Sequence, residues 1–178
     1  MILNERDVRH EHMLYVAKQM MTAARTAPKG KGVDVIETAV VTEEDIKLLS
    51  EEMIRLNGEN GMMFFLRDAE NILSAEAIVL IGTRQHLQGL NCAYCGFATC
   101  AEKPKDIPCA INSIDVGIAI GSACATAADL RVDSRVMFSA GLAAQSLNWL
   151  SDCKNVIAIP ISCSSKNPFF DRKPKERK

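Results

Sequence analysis

Residues 84–111 constrain the fold of the whole chain more than any other segment. The stretch has neither the 3.6-residue period of a helix nor the alternation of a half-buried strand. It carries Cys92, Cys95, Cys100 and Cys109 among glycines, prolines and polar residues. A loop of this length is uncommon in a compact domain unless it is functional. The core must therefore be built from the segments on either side, with the cysteine-rich loop inserted between them.

Those segments alternate between helical and buried-strand patterns. From Asn4 to roughly Ala27, apolar residues Val8, Met13, Val16, Ala17, Met20, Met21 and Ala24 approximate a helical period. Asn4 is a natural N-cap, and Pro28, Gly30 and Gly32 end the helix. A short β-branched strand follows within Val33 to Thr42. Thr42, with Asp45 in the capping-box position, opens a helix to about Leu56 that Asn57 and Gly58 stop. Another helix is expected from about Met62 to Ser74. Ala77 to Thr83 reads as a continuous apolar strand buried on both faces. After the loop come a small-residue helix from Ser113 to Leu130, a short strand and helix between Met137 and Leu150, and an apolar strand from Val156 to Ser162. The expected architecture is a layered α+β single domain over residues 1–178.

With 178 residues the chain can bury a core without help from a disulfide or metal. Its 21 basic and 22 acidic residues leave a net charge of −1, which offers no basic field for nucleic acid. The one basic run, Arg172 to Lys178, reads as a solvated, partly disordered terminus. The N-terminal residues carry acids and no apolar signal region, and no uncharged apolar run reaches membrane-spanning length. The expectation is a cytoplasmic protein with no membrane partner. In such a compartment, clustered cysteines point to metal binding or redox chemistry rather than disulfides.

The cysteine spacing is C-x2-C-x4-C, with Cys109 following after eight further residues and preceded by Pro108. Four nearby thiolates suit an iron–sulfur cluster or a tetrahedral zinc ion. The short first gap lets two sulfurs converge around a turn, and Gly96 lets the backbone curl closely. Structural zinc sites usually pair two C-x2-C knuckles, whereas here the second half is irregular, which favours a [4Fe–4S] cluster. Zinc and redox-active free thiols remain alternatives. Cys124, Cys153 and Cys163 read as core thiols, with Cys124 as the reserve ligand should Cys109 point away.

The run Asn91-Cys-x-x-Cys-Gly-x-x-x-Cys100, with Cys109 beyond it, resembles the small four-cysteine cluster domain of electron-transport complex subunits and corrinoid iron–sulfur proteins. That resemblance covers about twenty residues, and it implies a [4Fe–4S] cluster on Cys92, Cys95, Cys100 and Cys109. The rest of the chain is similar to the flavin-dependent nitroreductases. The matching stretches, in order, are Ala23 to Gly30, Glu37 to Glu43, Asp115 through the helix to Leu130, Asn155 to Ile161, and Asn167-Pro168. The whole also resembles a group of small prokaryotic proteins containing a ferredoxin domain.

The nitroreductase resemblance implies a three-layer α/β/α sandwich, a homodimer and bound FMN. The chain departs from that family in two places. The arginine-rich segment that grips the flavin phosphate is absent, because Arg6 and Arg9 lie in an acidic helical context. The asparagine-glutamine-proline-tryptophan run is replaced by Lys29-Gly30-Lys31-Gly32. These residues, with Arg25 and Arg84, are the candidate phosphate contacts. The competing reading is a solvated turn whose lysines compensate a helix C-terminus.

His10, His12 and His86 read as polar surface residues, and Gly117 with Gly121 as a close-packing stripe. Two functions follow as expectations. The first is a redox protein that passes electrons to a partner protein or reduces a small organic substrate. The second is a non-catalytic binding or regulatory protein stabilised by zinc or an iron–sulfur cluster.

Overall fold

The computed structural model describes residues 1–171; the basic run Arg172 to Lys178 lies outside them. Helix α1 spans Glu5–Thr26, and the Asn4 side chain accepts from the Arg6 N–H at its start. Strand β1 (Ile36–Val41) leads to α2 (Glu44–Asn60) and α3 (Phe64–Ile72). Strand β2 (Ala77–Arg84) precedes the cysteine loop, which ends where α4 (Ala110–Asp129) begins. The chain then forms β3 (Asp133–Ser134), α5 (Phe138–Ser146) and β4 (Cys153–Ser162).

The four strands make one sheet in the order β1-β2-β4-β3, with every neighbouring pair antiparallel. Alternation along β2 assigns its side chains to two cores. Ala77, Val79 and Ile81 pack with α1 and α4 on one face, through Met13, Met20, Ala119 and Ala123. Ile78 and Leu80 pack on the other with α2, α3 and α5, through Leu49, Met53, Phe65 and Ala140. The result is the expected α/β/α sandwich. The central strand is buried on both faces because helices cover both.

Two helix boundaries differ from expectation. Thr42 does not cap α2; the N-cap is Glu43, with a left-handed φ of 53° and no side-chain cap hydrogen bond. Asn57 and Gly58 do not stop the helix, which runs to Asn60 and ends on the left-handed Gly61. A glycine in helical φ/ψ costs only about 1 kcal/mol, and burial of Ile46, Leu49 and Met53 outweighs it. Helix α4 also begins a turn earlier than expected, with Cys109 as its N-cap.

Close packing fixes two glycines. A β-carbon on Gly141 of α5 would lie 2.0 Å from the Val156 carbonyl oxygen. A β-carbon on Gly30 would lie 2.5 Å from Ile111 Cγ2, so only glycine lets the α1–β1 connection approach the start of α4. Nothing within the protomer lies within 4 Å of a β-carbon added at Gly117 or Gly121, so this face of α4 is open there.

Candidate metal centre

The loop after β2 is shaped by left-handed residues close together: Gly89, Asn91, Ala93 and Gly96 all have positive φ. The Gly96 N–H closes a turn on the Ala93 carbonyl at 2.9 Å. Asn91 clasps the loop at both ends. Its N–H donates to Cys100 Sγ at 3.4 Å, and its Oδ1 accepts from the Cys100 N–H at 2.8 Å.

This geometry places Cys92, Cys95, Cys100 and Cys109 on the walls of one pocket, with Leu87, Leu90, Phe97 and Ile111 as apolar lining. Cys109 sits at the N-terminus of the 20-residue α4, whose first turn carries no acidic residue. The partial positive charge at that end favours an anion there. All seven cysteines are free thiols. The four loop sulfurs share a pocket without meeting at a point. Among the described residues no three Cys, His, Asp or Glu side chains converge as ligands of a single ion. The pocket is narrow, with room for about one water. A cluster seated on the four sulfurs therefore requires the loop to yield outward, and residues 85–109 lie outside every helix and strand.

Four thiols are the donor set that an iron–sulfur cluster takes, and equally the one that a structural zinc takes. Four sulfurs sharing one zinc at ~2.3 Å each would stand roughly 3.8 Å apart. Thiolates that each bind a different iron of a cluster stand further apart around a common centre.

Other buried polar groups hold the loop to the scaffold, and these were not singled out from the sequence. Asn112 donates from Nδ2 to the His86 carbonyl at 2.8 Å and accepts from Gln88 Nε2 at 2.8 Å. Because a carbonyl can only accept, Asn112 Nδ2 must face His86. That orientation in turn makes Gln88 Oε1 the buried oxygen without a partner. Gln88, 3% exposed, borders the cysteine pocket. Lys103, 7% exposed, borders the same pocket, and its ammonium donates to the carbonyls of Pro104 and Ile107.

The candidate phosphate contacts are engaged within the protomer. Arg25 pairs with Asp34 at 2.7 Å and also donates to the Ile36 carbonyl. Burial pushes the Asp34 carboxyl up, but hydrogen bonds from Arg25 and the Ile36 N–H hold it below the usual carboxylate range. Lys29 donates to the Ala24 and Arg25 carbonyls at the end of α1, and burial lowers its pKa. The Gly30 N–H donates to both carboxylate oxygens of buried Asp115 at 3.0 Å. Lys31 donates to the Gln88 carbonyl at 3.0 Å, and Gly32 lies open with φ of 68°. Arg84 contacts the Asp34 carbonyl and Glu37. The segment thus caps α1 and ties it to α4 and the loop.

Cys124 is not among the residues lining the cysteine pocket. It packs against the α1–α4 core, and burial raises its thiol pKa despite a hydrogen bond from Ser134. Cys153 lies in the opposite core, its thiol pushed up to about 11 by burial. Cys163 packs at the edge of the α1–α4 core.

Residues 105–172 match the family described as "uncharacterized protein containing a ferredoxin domain (DUF2148)". The match includes Cys109 and begins after Cys92, Cys95 and Cys100. An "uncharacterized protein" of Archaeoglobus fulgidus is 39% identical over 186 residues, covering 99% of this chain and 100% of the relative. The chain belongs to this ferredoxin-domain family. The fold of this ferredoxin-domain protein is that of the nitroreductases. Nitroreductase CinD from Lactococcus lactis, in complex with nicotinic acid, superposes with a TM-score of 0.61 at 14% identity, over 93% of this chain and 81% of that one. A BluB-like flavoprotein from Clostridium difficile gives 0.58 at 17% identity, over 92% and 84%. A nitroreductase from Desulfovibrio desulfuricans in complex with FMN gives 0.57 at 13% identity, over 90% and 80%.

Proposed function

We propose that this protein is an iron–sulfur redox protein in which Cys92, Cys95, Cys100 and Cys109 hold a [4Fe–4S] cluster. The observation that carries the reading is that four cysteines, spread over the loop, all border one pocket. When bound there, the cluster supplies a one-electron donor and acceptor. The residues around it prepare the site. Asn91 sets the distance between the two ends of the ligand run, the left-handed residues Ala93 and Gly96 form the turn that carries Cys95, and α4 presents its positive end at Cys109. Leu87, Leu90 and Phe97 supply apolar lining beside the cysteines. Tyr94 stands exposed beside the ligands, where a protein carrier can approach.

The acceptor is either such a carrier or a small organic substrate. We place FMN outside the assignment at the Arg25–Gly32 segment, because its donors are already engaged by Asp34, Asp115 and the end of α1. The exposed apolar face of α4, with Ile114 49% and Ile118 41% exposed, supports a homodimer built on that helix. Free thiols throughout the described residues suit a reducing, cytoplasmic setting.

The test is metal analysis and absorption of protein purified without oxygen. The expected result is about four irons per chain and a broad visible band that dithionite bleaches. Serine at any of the four cysteines reduces or abolishes both, whereas Cys124→Ser leaves them intact. A colourless protein with one zinc per chain overturns the proposal.

A further inference from the structure

We infer that the groove between α2 and the turn joining α3 to β2 is a binding site for a linear aliphatic polyamine. The inference is independent of the cluster assignment, because no cysteine and no residue of the loop after β2 lines this groove.

The groove has a volume of about 590 Å³, within the ~300–1,000 Å³ of small-molecule sites. Ile46, Ile54, Leu73 and Ala75 give it an apolar floor, of which Ile54 and Leu73 are 52% and 54% exposed. Three carboxylates line it as well, Glu43 and Glu51 from α2 and Glu76 from the turn. Glu43 is the N-cap of α2, yet its side chain makes no cap hydrogen bond. The Glu51 carboxylate has no hydrogen-bond or ion-pair partner among the described residues. Glu76 Oε2 accepts from the Cys163 N–H at 3.3 Å, which ties that carboxylate to the end of β4. Ser50 lines the groove too and is 4% exposed. Its single hydroxyl proton goes to the Ala69 carbonyl, so toward a ligand it can only accept.

The basic residues of the lining are His10 and Lys47. Lys47 is drawn off to Glu44, at 2.8 Å and outside the lining, and His10 Nε2 stands 3.7 Å from Glu43 Oε1. The groove therefore offers acceptors and negative charge around an apolar floor. Among the described residues no three acids or histidines converge as ligands of one ion, so the charge is not arranged for a compact metal cation. Glu43 and Glu51 are eight residues apart, which is about 12 Å along α2. Charges so separated suit a ligand with ammonium groups at its ends and methylenes between, the methylenes covering Ile54 and Leu73.

The probe is spermidine, titrated into the whole protein by calorimetry at low salt. The expected result is one spermidine per chain, bound more weakly as salt is added. Glu43→Gln and Glu51→Gln should each weaken binding about fivefold, the upper range for an exposed ion pair. Ile54→Ser should weaken it about threefold through lost apolar contact. All three side chains are exposed, so the variants should keep the wild-type circular dichroism. Putrescine, too short to reach both Glu43 and Glu51, should bind about fivefold more weakly than spermidine. Magnesium at the concentration of spermidine should leave its binding unchanged. The inference is overturned if spermidine gives no binding heat or if magnesium displaces it. It is equally overturned if Ile54→Ser binds like wild type and putrescine like spermidine, which would reduce the groove to a charged surface. A lysine-rich peptide that binds more tightly than spermidine overturns it too, and assigns the groove to a protein partner. None of these outcomes alters the iron analysis, which decides the cluster assignment separately.

Discussion

Gly117 lies inside α4, and nothing stands within 4 Å of where its β-carbon would be. In a lone protomer Gly117→Ala therefore adds no clash. It gains the helix-propensity difference of about 0.8–1.0 kcal/mol. For a domain of this size that corresponds to a rise in Tm of about 2–4 °C. A dimer built on α4 reverses the sign. Ile114, Gly117, Ile118 and Gly121 recur at helical spacing, and only a third of the helix's most apolar stretch is buried within the protomer. By length and composition the same helix could cross a membrane. Its Asp115, however, is engaged by Gly30 in the layer that α1 and α4 form over the sheet. A second copy resting on the open face would bring backbone close to Gly117. A methyl group inserted there costs about 1–3 kcal/mol, as overpacking does in a core. We expect Gly117→Ala to weaken dimerisation about tenfold or more and to lower Tm at micromolar concentration. Sedimentation equilibrium and melts at two protein concentrations measure both. A variant whose Tm rises by 2–4 °C with unchanged sedimentation refutes the dimer on this face.

Gly141→Ala should destabilise by about 3 kcal/mol or more, because its β-carbon would meet the backbone of Val156 and Ile157, which cannot move aside cheaply; urea melts should show it, and a loss under 1 kcal/mol would contradict the packing described. Alkylation at pH 8 of protein stripped of metal should label Cys92 within minutes and leave Cys153 unmodified, since a thiol pushed up to about 11 is about one part in a thousand thiolate there; mass spectrometry of the peptides decides. The Asp34 carboxyl is held below its ordinary 3.8, so its contribution to stability is present above that value and lost as pH falls through the lower folded value. Asp34→Asn should therefore lower Tm at neutral pH and converge with wild type in acid; parallel curves down to pH 2 would exclude the Arg25 link as a stabilising contact.

The layered fold was legible because its signals are local and redundant. Ala77 to Thr83 is too apolar to face water on either side, and the α1 period from Val8 to Ala24 is long. The α2 boundaries were not legible. Thr42 and the Asn57-Gly58 pair are local signals, and the packing of Leu49 and Met53 on Phe65 outweighed them. At the Lys29–Gly32 turn the composition suits phosphate, while the Asp115 carboxylate that accepts from the Gly30 N–H lies 85 positions away and left no local mark. Spacing alone singled out the four cysteines that border one pocket. The burial of Lys103 was not, since a lysine in a polar loop carries no mark of its environment. Gln88 and Asn112 escaped notice for the same reason, and an asparagine in the first turn of α4 was the one available hint.

The position of the core makes the proposed cluster cargo rather than scaffold. Neither of the two buried clusters contains Cys92, Cys95, Cys100 or Cys109. The loop is fastened instead by hydrogen bonds from Asn112 to His86, Gln88 to Asn112 and Lys31 to Gln88, none of which involves a sulfur of the four cysteines. A structural metal is different: its binding free energy is folding free energy, about 10–16 kcal/mol for structural zinc in isolated fingers, and chelation unfolds the protein. Here the sandwich should survive removal of the cluster. Chelation with an oxidant, or serine at Cys92 and Cys95 together, should lower Tm by only a few degrees and leave the far-ultraviolet circular dichroism unchanged. The loop amides from Gly89 to Pro108 should lose protection from hydrogen exchange, while those of β2 and β4 keep theirs. Cooperative unfolding on chelation would reverse the conclusion, making the cysteines a structural clamp and removing the reason to regard the bound group as a carrier of electrons.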